Sequence, residues 1–129
     1  DAEAKISQPS IAAIDKSSLV QTMPELFENL HAAGFLMLNA TPVLHSERKP
    51  AIEAKFWKGF LLRLLTQLGE TSNHKLTLVL WGKIAETIES MDLPDQYQKL
   101  VSEHPYNISF INNVAMQNLF RDIALLTAK

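Results

Sequence analysis

The chain has 129 residues, 47% hydrophobic and 20% charged; these proportions exclude a disordered or fibrous protein and suffice for one domain with a buried core. A formal net charge of -2 supplies no long-range positive field to gather nucleic acid or an anionic membrane. The lack of cysteine excludes a disulfide framework, a thiolate metal centre and a cysteine nucleophile, and fits a reducing compartment.

Every apolar run is shorter than the roughly 20 residues of a membrane helix. The opening Asp1-Ala2-Glu3-Ala4-Lys5 has no basic or apolar leader region, so neither a secretory signal nor a membrane partner is expected. Residues 1–8 read as a flexible lead-in and 9–129 as a single domain. Ser10 is the expected cap of a short helix through Ile11 and Ile14. A second helix is expected from Thr22, with Pro24 in its first turn, Glu25 three residues after the cap, and Leu26, Phe27 and Leu30 on its apolar face; Gly34 suits its end. Phe35-Leu36-Met37-Leu38-Asn39 is too short for a helix and reads as a strand buried on both faces.

The segment from Pro42 to Pro50 reads as a loop. A long helix is expected from about Ala51 to Gly69, with Phe56, Phe60, Leu64 and Leu68 on one stripe and Ile52, Leu61 and Leu65 beside it. Leu76 to Trp81 is a second buried strand, stopped by Gly82. Ile84, Ala85, Ile88 and Met91 mark a helix that ends before Pro94. Tyr97 to Glu103 is a weaker strand candidate, followed by the loop His104-Pro105-Tyr106-Asn107-Ile108-Ser109. A last amphipathic helix is expected through Val114, Met116, Leu119, Phe120, Ile123 and Leu126. Alternating helices and strands predict an α/β domain, three-layered α/β/α, with a short parallel sheet. Three parallel strands make a thin core, which suggests that another strand completes the sheet.

In open parallel sheets ligands bind beyond the carboxyl ends of the strands. Asn39, the Trp81-Gly82-Lys83 turn and His104 fall at those ends. Asn39 either caps the following turn or presents the donor and acceptor needed to read an amide-like edge such as a pyrimidine. His104 is either an ordinary surface histidine or a donor to a carbonyl oxygen that gains negative charge. Ile108 either tucks into the core or stands out as a wedge able to enter a base stack. Arg48, Lys49, Lys55 and Lys58 form a mild basic cluster, diluted by Glu47 and Glu53 and read as a solvated face. His31, His45 and His74 lack ligand spacing, so no metal site is expected. No glycine-rich phosphate loop and no Gly-x-Ser-x-Gly elbow occur.

Together these segments resemble the uracil-DNA glycosylase family. Phe35-Leu36-Met37-Leu38-Asn39-Ala40 resembles the family's strand ending in the uracil-reading asparagine. Trp57 falls where the family has the tryptophan of its Ser-His-x-x-x-Gly-Trp segment. Leu78-Val79-Leu80-Trp81-Gly82 resembles the Leu-Leu-Trp-Gly strand, and His104-Pro105-Tyr106-Asn107-Ile108-Ser109 is similar to the intercalation loop His-Pro-Ser-Pro-Leu-Ser. Pro9-Ser10-Ile11, with Ile14 and Lys16, is similar to the end of the family's proline-rich loop and the helix after it.

The resemblance implies base-excision DNA repair: hydrolysis of the uracil N-glycosidic bond after base flipping, on uracil-containing DNA and without a cofactor. It implies that Asn39 binds uracil, that His104 stabilises the departing uracil oxyanion, that Ile108 fills the gap left by the flipped nucleotide, and that Ser10 and Ser109 grip phosphates. It also implies a cytoplasmic protein, or a nuclear one in a eukaryotic or viral setting. The departures are equally specific. The family's water-activating Gly-Gln-Asp-Pro-Tyr-His does not occur in these residues and is expected to precede residue 1, together with the first core strand. Ala51-Ile52 replaces the Ser-His pair, Phe56 the glycine before the tryptophan, and Asn107 and Ile108 the Pro and Leu of the wedge loop. No Lys or Arg lies between Ser109 and Arg121. The alternative is a non-catalytic relative that keeps the fold as an interaction or DNA-binding module. In either case a second chain or further segment is expected to complete the sheet.

Overall fold

A computed structural model of the protein describes residues 7–43 and 45–128; most of the expected lead-in, residues 1–6, lies outside them. The elements in chain order are α1 (Gln8–Ala12), α2 (Met23–Ala32), α3 (Pro50–Thr71), β1 (Leu76–Trp81), α4 (Ile84–Glu89), β2 (Tyr97–Ser102), a 3-10 helix (Ile108–Asn112) and α5 (Val114–Phe120). They fall into two compact units. One runs to Met37 and resumes at Pro105; the other is Leu38–His104.

In the first unit the cap of α1 is Ser7, not Ser10. Ser7 and Ser10 are three residues apart and bond reciprocally: the Ser7 N–H donates to Ser10 Oγ at 2.8 Å, and the Ser10 N–H to Ser7 Oγ at 3.4 Å. Pro9 fits the first turn because it lacks an N–H that would go unpaired there. α2 opens with the expected Thr22–Glu25 capping box and closes at Gly34, whose φ of 87° is the left-handed conformation of a helix stop. The Gly34 N–H then donates to His31 O and the Phe35 N–H to Leu30 O, each at 3.0 Å.

That closure explains why Phe35 to Asn39 is not a strand. Phe35 is taken up in ending α2, and its ring stacks on Phe120 with centroids 5.8 Å apart. The residues after it make no ladder with either strand, and Leu36, Met37 and Leu38 are exposed. An apolar run predicts a strand only where a partner edge meets it. The last helix is likewise shorter than its apolar spacing predicts. Beyond Phe120 the carbonyls of Leu125 and Thr127 accept from the side-chain amide of buried Asn29, at 2.8 and 2.9 Å. Thr127 also forms a bridge with Leu19, so this segment satisfies its backbone outside a helix.

The second unit holds the sheet. β1 and β2 pair in parallel, from Leu76 opposite Tyr97 to Trp81 opposite Ser102, and α4 lies on the crossover between them. Two strands alone are marginal; helices supply the rest. Leu61 and Leu65 of α3, Leu80 of β1, and Ala85, Ile88 and Met91 at α4 form one buried cluster. The Lys99 ammonium of β2 donates to the carbonyls of Glu89 and Met91, satisfying acceptors at the end of α4. The expected stripe on α3 is rotated: Leu61 and Leu65 point inward, whereas Phe56 and Phe60 are 69% and 50% exposed. α3 carries apolar residues on more than one side, so periodicity cannot single out the face that meets the core.

Gly69 shows how closely α3 approaches its neighbours. A Cβ there would lie 2.9 Å from the Tyr97 ring and 3.1 Å from Pro94. The ring has little room to yield, because the Tyr97 hydroxyl donates to Leu65 O at 2.8 Å. Burial also raises the Tyr97 phenol pKa above its usual 10.0. A raised folded-state pKa contributes stability below the unfolded value that is lost as pH climbs through the folded one; this loss begins above about pH 10. At Gly59, in the same helix, a Cβ would meet nothing within 4 Å. Replacing glycine by alanine inside a helix ordinarily stabilises by about 0.5–1 kcal/mol. Gly59→Ala should show that gain in urea melts, whereas Gly69→Ala should lose about 1–3 kcal/mol through overpacking.

Candidate functional site

Parallel pairing in this register carries both strands to the same end. β1 terminates at Trp81 and turns at Gly82; β2 terminates at Ser102, and His104 follows two residues later. The Gly82 N–H extends the ladder by donating to Ser102 O at 3.0 Å. Gly82 has φ of 73°, and a Cβ on it would lie 3.4 Å from His104 Cβ and 3.8 Å from His104 Cδ2. The turn therefore needs glycine for its backbone conformation, and the distances to His104 are those of ordinary van der Waals contact. His104 itself is exposed and lies beside the strand-end turn.

Asn39 belongs to the same unit as His104. It is exposed, and Ala40 beside it packs against the Leu61–Leu80 cluster. The asparagine is thus an exposed residue tethered by a core-packed neighbour. Trp57 is half-buried and meets Phe60 edge to face at 5.7 Å; it serves as a packing residue of α3.

Ile108, Ser109 and Ser10 lie in the other unit. Ile108 opens the 3-10 helix and is 51% exposed, so it is not a core side chain. Ser109 is exposed in the same turn. The Ser10 hydroxyl donates to Ser7 O at 2.8 Å, which gives it a capping role in α1. The residues thus group as Asn39 with His104 and Gly82 in one unit, and Ile108 with Ser109 and Ser10 in the other.

Sequence reasoning missed two features. The contact of Gly82 with His104 joins positions 22 residues apart, and its only sequence signal is a glycine directly after a strand. The other is the exposed side of α3, whose signal is a helix with more apolar residues than one buried face can use. Among the described residues no group of three or more His, Asp or Glu side chains could hold a metal ion, and no helix is long and apolar enough to cross a membrane.

Two changes test this geometry. Gly82→Ala forces a side chain into the left-handed region and should cost about 1–2 kcal/mol in stability, while the new methyl, in van der Waals contact with His104, should shift that ring's resonances. Ile108→Ala should change the unfolding free energy by no more than about 0.5 kcal/mol, as at a surface position.

The chain is similar to solved structures of UNG from Nitratifractor salsuginis. The wild-type crystal structure superposes with a TM-score of 0.77 at 32% identity, covering 95% of this chain and 48% of that one. A point mutant of the same protein superposes at 0.78 and 32% identity, covering 95% and 49%. The chain therefore spans about half the length of the structures it matches. No family model matches the chain, and no curated protein does.

Proposed function

The chain is related to the uracil-DNA glycosylase family, and from that premise we propose that it carries the uracil-reading and leaving-group side of a base-excision site. The observation that supports this most is the placement of His104 beside the Gly82 turn at the carboxyl ends of β1 and β2, where an open parallel sheet binds its ligand. Asn39 donates to and accepts from the edge of a flipped uracil, a pairing that cytosine, with its donor and acceptor reversed at that edge, does not satisfy. His104 donates to the uracil oxygen on which negative charge collects as the N-glycosidic bond breaks. In the other unit, the exposed Ile108 suits the wedge role that the resemblance implies, and Ser109 the phosphate contact.

The reaction also needs a group that positions or activates water. The Asp-Pro-Tyr segment that performs this in the family does not occur among these 129 residues. The 129 residues thus recognise the base and stabilise its departure, and hydrolysis requires a carboxylate supplied by another segment. A further strand would also fit the sheet, because among the described residues β1 has a neighbour on one edge only and an unpaired edge accepts a strand. The purified 129-residue chain should accordingly release at most trace uracil from uracil-containing DNA. Robust release that His104→Ala abolishes would overturn this division of labour; binding that fails to distinguish a uracil-containing oligonucleotide from its cytosine counterpart would overturn the assignment of Asn39.

A further inference from the structure

The side of α3 turned away from the core has a composition of its own. Ile52, Phe56 and Phe60 follow one another at four-residue spacing, so they share a helix face, and they are 48%, 69% and 50% exposed. Lys55 and Arg63 each sit three residues from members of this line and are exposed, as is Lys49 at the helix entrance. Between positions 48 and 63 the sequence places five cations against one carboxylate, Glu53, in a chain whose net charge is negative. Glu53 does not dilute the face. It is buried, 6% exposed, and bonds through Oε1 to the Arg48 guanidinium at 3.2 Å. Arg48 in turn lies over the Phe56 ring, 5.4 Å from its centroid.

We propose that this face of α3 binds single-stranded nucleic acid, with unpaired bases stacking on Phe56 and Phe60 and phosphates meeting Lys49, Lys55 and Arg63. Exposed rings interleaved with cations supply the two components of such binding: stacking that tolerates any base, and electrostatic attraction to the backbone. The rings stand one helical turn apart, about 6 Å along the axis, so each presents its own platform. Trp57 braces Phe60 edge-on, and Arg48 holds the other ring from one side, so little ordering entropy is lost when a base arrives. The charge of the face selects a polyanion over an apolar protein surface. A duplex does not fit, because its bases are already stacked on one another.

The inference goes beyond uracil recognition and stands without it, since the probe contains no uracil. Fluorescence anisotropy of a labelled fifteen-nucleotide oligo(dT) should show binding at about 50 mM salt that weakens roughly tenfold or more at about 200 mM. The double variant Phe56→Ala, Phe60→Ala should weaken binding at least tenfold while keeping the salt dependence. Lys55→Gln with Arg63→Gln should weaken binding and flatten that dependence. All four side chains are exposed, and far-UV circular dichroism confirms that the variants fold. Absence of oligo(dT) binding by the wild-type chain at about 50 mM salt would overturn the proposal, as would binding that the aromatic double variant leaves unchanged. Self-association of the wild-type chain in sedimentation that this variant abolishes, without an effect on oligo(dT), would assign the face to a protein partner and overturn it equally.

Discussion

The parallel pairing of β1 with β2 is the constraint on which the second unit depends. Parallel strands cannot be joined by a tight turn, so the chain must cross over, and it does so through α4. The crossover brings Ala85, Ile88 and Met91 into the cluster with Leu80 and the inward leucines of α3. The same register brings both strands to one end, where the Gly82 N–H makes the last rung with Ser102 O and the turn receives His104. A slip of one residue would reverse the face of every β2 side chain and separate the imidazole from the glycine. Packing and chemistry therefore share one determinant.

α3 serves two environments at once. Its inward side is fastened by leucines, by the Tyr97 hydroxyl on Leu65 O, and by the side-chain amide of Gln96 on Gly69 O. Its outer side carries rings and cations in solvent. An exposed apolar line of this kind marks a contact surface. The open edge of β1 is a second such surface. Both are in the unit that contains Asn39 and His104.

Much of this was legible in the sequence because the signals were local. Thr22, Pro24 and Glu25 specify the start of α2, Gly34 its end, and the apolar run Leu76–Trp81 closed by Gly82 specifies β1. The features that were not legible depend on distant partners. Phe35 to Asn39 has the composition of a strand, yet Phe35 is taken by the end of α2 and by Phe120, while the residues after it meet no ladder. The segment after Phe120 has helical spacing, yet Asn29 and Leu19 draw its backbone into other bonds. Phe56 and Phe60 read as core because hydrophobicity does not report which of the apolar sides of α3 is covered. Of the candidate site, the residue types at the strand ends were legible, as was the exposed alternative for Ile108; the contact between Gly82 and His104 was not, since only the parallel register creates it.

The proposed reading assigns uracil recognition to Asn39 and to His104 after the end of β2. Its most direct test is an NMR titration of the isotopically labelled chain with free uracil. The account predicts saturable shifts confined mainly to the Asn39 side-chain amide, the Gly82 amide and the His104 ring, with cytosine producing a much weaker response. Shifts elsewhere with these three groups unmoved, or equal responses to uracil and cytosine, would contradict it.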